Sequence, residues 1–210
     1  MISIVIPCGP THVSFLYNLL HEFMKQTLYP NEVVISISES DRVDQKEFIR
    51  LENLKLPFSI ILIKNLDKKT PGENRQIGSD HCNYDYIIYQ DADDIPHKQR
   101  IEIMNYVFQN FNANHITHLT THHAKGINTI HKLENIKPHK WNVRSSIKGS
   151  PTTAGNIGVH RKVFENVRWT NHKVGEDTRF TDAVLSKYDN CYRVGVTLHF
   201  YRTQYSTSHK

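Results

Sequence analysis

YDYIIYQDADDIP (84–96) carries an apolar run to an abrupt edge and sets three carboxylates there, Asp91, Asp93 and Asp94. Residues 84–90 have the length and the aromatic and β-branched character of a buried strand, so the acids mark its carboxyl end. What precedes that strand decides the sheet. ISIVIP (2–7), EVVISIS (32–38) and FSIILIK (58–64) are three more apolar runs of strand length. Helical patterns fill the gaps. Phe15, Leu16, Leu19, Leu20, Phe23 and Met24 recur at helical spacing, Thr11 offers a cap before them, and YPN (29–31) breaks the run. Residues 42–53 and 73–82 also read as helices. Residues 97–110 place Ile101, Met104, Val107, Phe108 and Phe111 on one helix face. Strand–helix alternation predicts right-handed crossovers and a mainly parallel sheet flanked by helices. Ligands of such sheets sit beyond the carboxyl ends of the strands, the edge where the acids lie.

After residue 112 the rhythm changes. HITHLTTHH (115–123) reads as a strand, residues 124–155 are polar and turn-rich, and GSPTTAG (149–155) reads as a mobile loop. IGVHRKVF (157–164) leads into a short helix, GEDTRFTDAVLSKY (175–188) is a helix with acids at its start, and CYRVGVTLHFYR (191–202) is a late strand.

The 210 residues suit one domain, and 38% hydrophobic with 22% charged residues is a globular composition. The net charge of +5 suits an anionic ligand, but no arginine-rich block points to nucleic acid. Cys8, Cys82 and Cys191 form no CxxC pair and are odd in number, which argues against a disulfide framework and for a reducing, cytoplasmic setting. No apolar stretch reaches the roughly 18–20 residues of a membrane-spanning helix. MISIVIPCGP (1–10) lacks the basic start of a signal peptide and reads as a first strand.

On an extended segment, residues two apart point the same way, so Asp91 and Asp93 can face one ligand. Paired carboxylates at a strand end suit Mg²⁺ or Mn²⁺, which keep waters and take phosphate oxygens. The competing reading is a turn: Asp-Asp-x-Pro is good turn chemistry, and Asp94 can cap the next helix. Four histidines, His115, His118, His122 and His123, suggest zinc, but no cysteine or carboxylate is near them in sequence, and solvated surface histidines are the reading preferred.

The ordered set of motifs resembles inverting, family-2-type nucleotide-sugar glycosyltransferases of the GT-A fold. ISIVIP resembles their first strand, and QTLYPNEVVIS (26–36) their approach to the second. NRQIGSDHCNYDYIIYQDADD (74–94) resembles an Ala-Arg-Asn-x-Gly segment followed by a strand and Asp-x-Asp-Asp. GVHRKVF (158–164), GED (175–177) and FYRTQYSTS (200–208) resemble pieces of the acceptor half and the C-terminal tail. The resemblance implies a Rossmann-like α/β domain over 1–210, with a nucleotide-binding half (1–112), an acceptor half (113–210) and a smaller acceptor-side sheet. It also implies a nucleoside-diphosphate-sugar donor, with UDP the expected nucleotide, a glycan or other hydroxyl acceptor, and Mn²⁺ or Mg²⁺. The processive Gln-x-x-Arg-Trp signature is missing. A chain of this length also suits one catalytic piece of a larger protein, and a viral source would place it in the host cytoplasm.

Roles follow from the resemblance. Pro7 and Cys8 close the first strand where a base would lie, and Arg75, Asp91, Ala92 and Arg202 would line the donor. Asp93 would hold the metal, with Asp91 beside it. Asp177 would be the general base, with Glu176 touching acceptor hydroxyls. The sequence departs from the family in three places. Ser38, Glu39 and Asp41 stand where two acids usually read the base, Gln76 replaces a common Asn, and Gln204 replaces a tail His. His199 or His209 is then the candidate metal or phosphate contact. Trp141 and Trp169 can stack on sugars or fill the core. A retaining transferase, a nucleotidyltransferase (with CGPTH, 8–12, as a poor phosphate loop) and a non-catalytic nucleotide- or carbohydrate-binding module are the alternatives.

Overall fold

The structure, a computed structural model, describes residues 1–122, 129–142 and 154–202. The chain opens with β1 (Ile2–Cys8), α1 (Val13–Phe23), β2 (Glu32–Ile37), α2 (Gln45–Glu52) and β3 (Ser59–Lys64). It continues with α3 (Pro71–Asp80), β4 (Tyr86–Tyr89), β5 (Ile95–Pro96), α4 (Arg100–Phe111) and β6 (His115–Thr121). It closes with β7 (His139–Lys140), β8 (Ile157–His160), α5 (Glu176–Lys187) and β9 (Cys191–Phe200). Among the described residues the strands form one sheet in the order β3-β2-β1-β4-β8-β6-β9-β5, with β7 paired to β9. The four strands read from the N-terminal apolar runs are all mutually parallel, as expected. β8 runs antiparallel between β4 and β6.

Strand order reverses between β1 and β4, the point where a doubly wound sheet opens a crevice at its carboxyl edge. Period-two alternation sorts the core. Ile2, Ile4 and Ile6 of β1 pack with the apolar faces of α1, α2 and α4. Val5 faces the other way, with Tyr89, Trp169 and Phe180. Gly78 lets α3 lie close on β1, since a Cβ there would stand 2.6 Å from Val5 Cγ1.

Several local expectations are corrected. Thr11 does not cap α1: residues 10–12 form a short 3-10 turn, and the position before α1 is His12, which makes no side-chain cap bond. α3 begins at Pro71 and not at 73, because Thr70 and Glu73 build a reciprocal capping box. His115 and His118 are buried, not solvated, whereas His122 is exposed. Trp169 is core: it stacks on Phe180 at 4.0 Å and donates to Tyr89 Oη at 2.8 Å. Trp141 is half-buried against the same cluster. His123, Gln204, His209 and residues 149–153 of the expected loop lie outside the described residues. All three cysteines are free and buried, and no helix among the described residues is long and apolar enough to cross a membrane.

Candidate active site

The acids after β4 do not continue as an extended segment. Residues 92–93 turn, and the Asp94 N–H donates to the Asp91 carbonyl at 3.3 Å. The premise of extended geometry therefore fails, yet the carboxylates still crowd together. Burial, then repulsion from Asp94 and Asp91, pushes the Asp93 carboxyl up to about 6. Burial alone would raise Asp91 too, but the charge and hydrogen bond of Arg75 override it and hold Asp91 below its ordinary value. Ala92 is buried between them.

Asp94 does not cap α4, whose preceding residue, Gln99, makes no cap bond either. It is buried instead, accepting the Arg202 N–H at Oδ1 (2.8 Å). The pairing of β5 with β9, Ile95 opposite Phe200 and Pro96 opposite His199, causes this. It delivers the end of β9 to the acidic turn. Arg202 Nε donates to the Asp93 carbonyl, and its guanidinium lies 5.5 Å from the Phe15 ring.

His199 arrives by the same pairing, fully buried. Its Nε2 stands 3.0 Å from Asp94 Oδ2, but neither atom is aligned for a hydrogen bond, so the contact is one of proximity. Gly155 presses on His199: a Cβ there would meet His199 Cε1 at 2.5 Å and Asp91 Oδ2 at 3.1 Å.

Arg75, on α3, joins the turn after β4 to the start of α5. Its Nη2 donates to Asp91 Oδ1 (2.8 Å) and its Nη1 to Glu176 Oε1 (2.9 Å), while its Nε is buried without a partner. Glu176 and Asp177 occupy the first turn of α5. Burial raises the Asp177 carboxyl above its ordinary value, and Glu176 adds to the rise against the Thr178 N–H, which donates to Asp177 Oδ1 at 2.7 Å.

Beyond the ends of β1 and β2, the Ser38 N–H donates to the Cys8 carbonyl at 2.9 Å, which brings residues 38–41 beside Pro7 and Cys8. Burial pushes the Cys8 thiol far up, so it stays protonated. Glu39 takes a left-handed conformation (φ 49°) and pairs with Arg42, while Asp41 is exposed.

A family model described as "Glycosyl transferase family 2" matches residues 3–168. The chain belongs to glycosyl transferase family 2. Its fold is the GT-A glycosyltransferase fold, shared with S. aureus TarS 1–349 at a TM-score of 0.74 and 13% identity. That comparison covers 96% of this chain and 60% of the other, so the chain spans about three-fifths of that structure's length. TarS 1–349 in complex with UDP matches at a TM-score of 0.72 and 13% identity, over 96% and 60% of the two chains. Its complex with UDP-GlcNAc matches at 0.74 and 13%, over 98% and 59%. No match was found among curated proteins.

The carboxylates of this family-2 chain fit a divalent cation of the Mg²⁺ or Mn²⁺ kind. Asp91 and Asp93 offer hard oxygens in a crowded anionic turn, and such ions need only one or two carboxylates beside substrate phosphates. Among the described residues no three His, Cys, Asp or Glu side chains close around one point, so a zinc-like cage is not built there.

One residue of this edge escaped the sequence reading. Arg100 is 1% exposed. It donates from Nε to His118 Nε2 (3.0 Å), from Nη1 to Gln90 Oε1, and from Nη2 to the carbonyls of Tyr89 and Gly155, both at 2.6 Å. Burial lowers it to about 9, against the pull of Asp91 and Asp94. Its signal was an arginine on an apolar stripe, one turn before Met104.

Proposed function

We propose that this chain is an inverting glycosyltransferase. It moves one sugar from a nucleoside-diphosphate sugar to a hydroxyl of a glycan or similar acceptor, with Mn²⁺ or Mg²⁺ at the donor. The observation that carries the reading is the meeting of the Asp91–Asp93 turn with the first turn of α5 through Arg75. It sets the acidic turn beside the helix start that carries Asp177. The cation, when bound, neutralises charge on the departing diphosphate. Asp93 and Asp91 would hold it, and Arg202 would close the donor side. Asp177 accepts the proton of the acceptor hydroxyl as that oxygen bonds to the anomeric carbon. The carbon–oxygen bond to the diphosphate breaks, and its electron pair leaves with UDP. One attack from the face opposite the leaving group inverts the centre. Pro7, Cys8, Glu39 and Asp41 border the base.

The TarS complexes make UDP and UDP-GlcNAc the first ligands to try. Thermal melting with a panel of nucleotide sugars, in Mn²⁺ and in EDTA, tests the reading, because a ligand that binds only the native state raises the melting temperature. UDP should stabilise the chain in Mn²⁺ and much less in EDTA. Equal shifts in the two buffers defeat the metal assignment. NMR of the product anomer then separates inversion from retention.

A further inference from the structure

The Arg75 fork reaches the first turn of the helix that carries Asp177. α5 starts after Gly175, which is left-handed (φ 72°) and supplies no side-chain cap. Its first turn is instead tied across 101 residues of sequence to α3. The side chains of Arg75 and Glu176 are only 5% and 13% exposed. The guanidinium also lies 5.2 Å from the Trp169 ring. Gly72 shows independently that α3 is shaped for this meeting. A Cβ there would run into the Thr170 carbonyl at 2.1 Å and lie 3.5 Å from Glu176 Cγ.

We propose that Arg75 and Glu176 are a positioning pair: they set Asp177 against the donor site, and Glu176 is not an acceptor contact. The inference rests on the transferase reading above for what Asp177 does. Successive helix residues are rotated by about 100°. With Glu176 turned inward onto Arg75, Asp177 is therefore aimed elsewhere, and its direction is set by the pair. A planar guanidinium fork fixes the separation of its two carboxylates, which a lysine's single point charge cannot do. One cation between two anions also links the ends: a change of charge at Asp91 alters the hold on Glu176. The charged groups that act on Asp177 are Glu176, Arg75 and Asp91, beside the Thr178 N–H.

Glu176→Gln, Glu176→Asp, Arg75→Lys and the double variant Glu176→Gln/Arg75→Lys test the pair. The readouts are steady-state kinetics, UDP affinity in Mn²⁺ by calorimetry, and a ¹³C NMR titration of the Asp177 carboxyl in the full chain without substrate. Glu176→Gln should lower kcat by about 100-fold, the cost of a small misplacement of a reacting group, and change UDP affinity far less. Its Asp177 should titrate at lower pH, since a neighbouring negative charge is gone. Arg75→Lys should not rescue, and it should cost less in the Glu176→Gln background than alone. Glu176→Asp, which keeps the charge, should fall between and guards against misfolding of the amide variant. An unmoved Asp177 titration, additive effects, or a raised acceptor KM with intact kcat overturns the pair. A wild type that binds UDP yet transfers no sugar defeats the enzyme reading instead, and the titration still decides whether Glu176 and Asp177 are linked.

Discussion

Asp177 and Gly155 test the proposed chemistry and the donor site separately. Burial raises the Asp177 carboxyl above its ordinary 3.8, and a base works only when deprotonated. Turnover should therefore fall on acidification through a midpoint above 3.8 in a pH profile of kcat/KM. Asp177→Asn should remove that limb and cost about 10²–10⁴-fold in kcat while UDP still binds; full activity in this variant removes Asp177 from the mechanism. Gly155 is tested from the other side of the site. The Cβ of Gly155→Ala would press on His199 and Asp91. UDP affinity in Mn²⁺ should drop about tenfold, roughly 1.4 kcal/mol. Calorimetry showing native affinity would mean that the 154–156 segment gives way freely. The acids were legible in the sequence as chemistry, because charge cannot continue a buried strand. That Asp94 is a buried strut beneath Arg202 and His199 was not legible, because Arg202, just past β9, reaches it from 108 residues away.

Among the elements, α3 is the one that positions Arg75. Its N-terminal box, Thr70 with Glu73, fixes where Arg75 emerges. Its approach to β1 depends on the missing side chain of Gly78. Thr70→Ala should cost about 1 kcal/mol through the lost cap. Gly78→Ala should cost about 1–3 kcal/mol by overpacking against Val5. Urea unfolding reads both, and a Gly78→Ala midpoint equal to wild type would show that β1 yields without strain. The helices were readable from apolar spacing, which reports the buried face directly. Their starts were not all readable: Thr11 looked like a cap, yet the chain runs through a 3-10 turn into α1. Thr70 was overlooked although Thr-x-x-Glu is a local signal. β5, two residues long, could not be seen at all, since it exists only through its pairing with β9.

For the whole molecule, the buried histidines set the acid limit. Burial lowers His115 to about 3, and burial with Arg100 close by lowers His118 well below 6.5. Both stay neutral in the fold and take protons near 6.5 when unfolded. At these two sites the unfolded chain therefore binds more protons once the pH falls below about 6.5. Their contribution to stability is fully present above 6.5 and falls as pH drops, by up to about 1.4 kcal/mol per pH unit for each histidine, offset between 3.8 and about 6 by Asp93, whose raised carboxyl takes up its proton first in the fold. Unfolding in urea at pH 7, 6 and 5 checks this. His115→Gln should flatten the decline, and an unchanged slope would exclude His115 as its source.

The four N-terminal strands, their parallel order and the acidic edge were written in local pattern, since periodicity reports which faces are buried. The family was legible too, in an ordered series of short motifs. Only the tertiary structure showed that Arg75 spans Asp91 and Glu176, that Arg100 lies buried behind the acids with neutral partners, and that two histidines are core. The physical reason is common to all three. A charged or polar side chain is informative only through what surrounds it, and those surroundings are assembled from segments far apart in the chain.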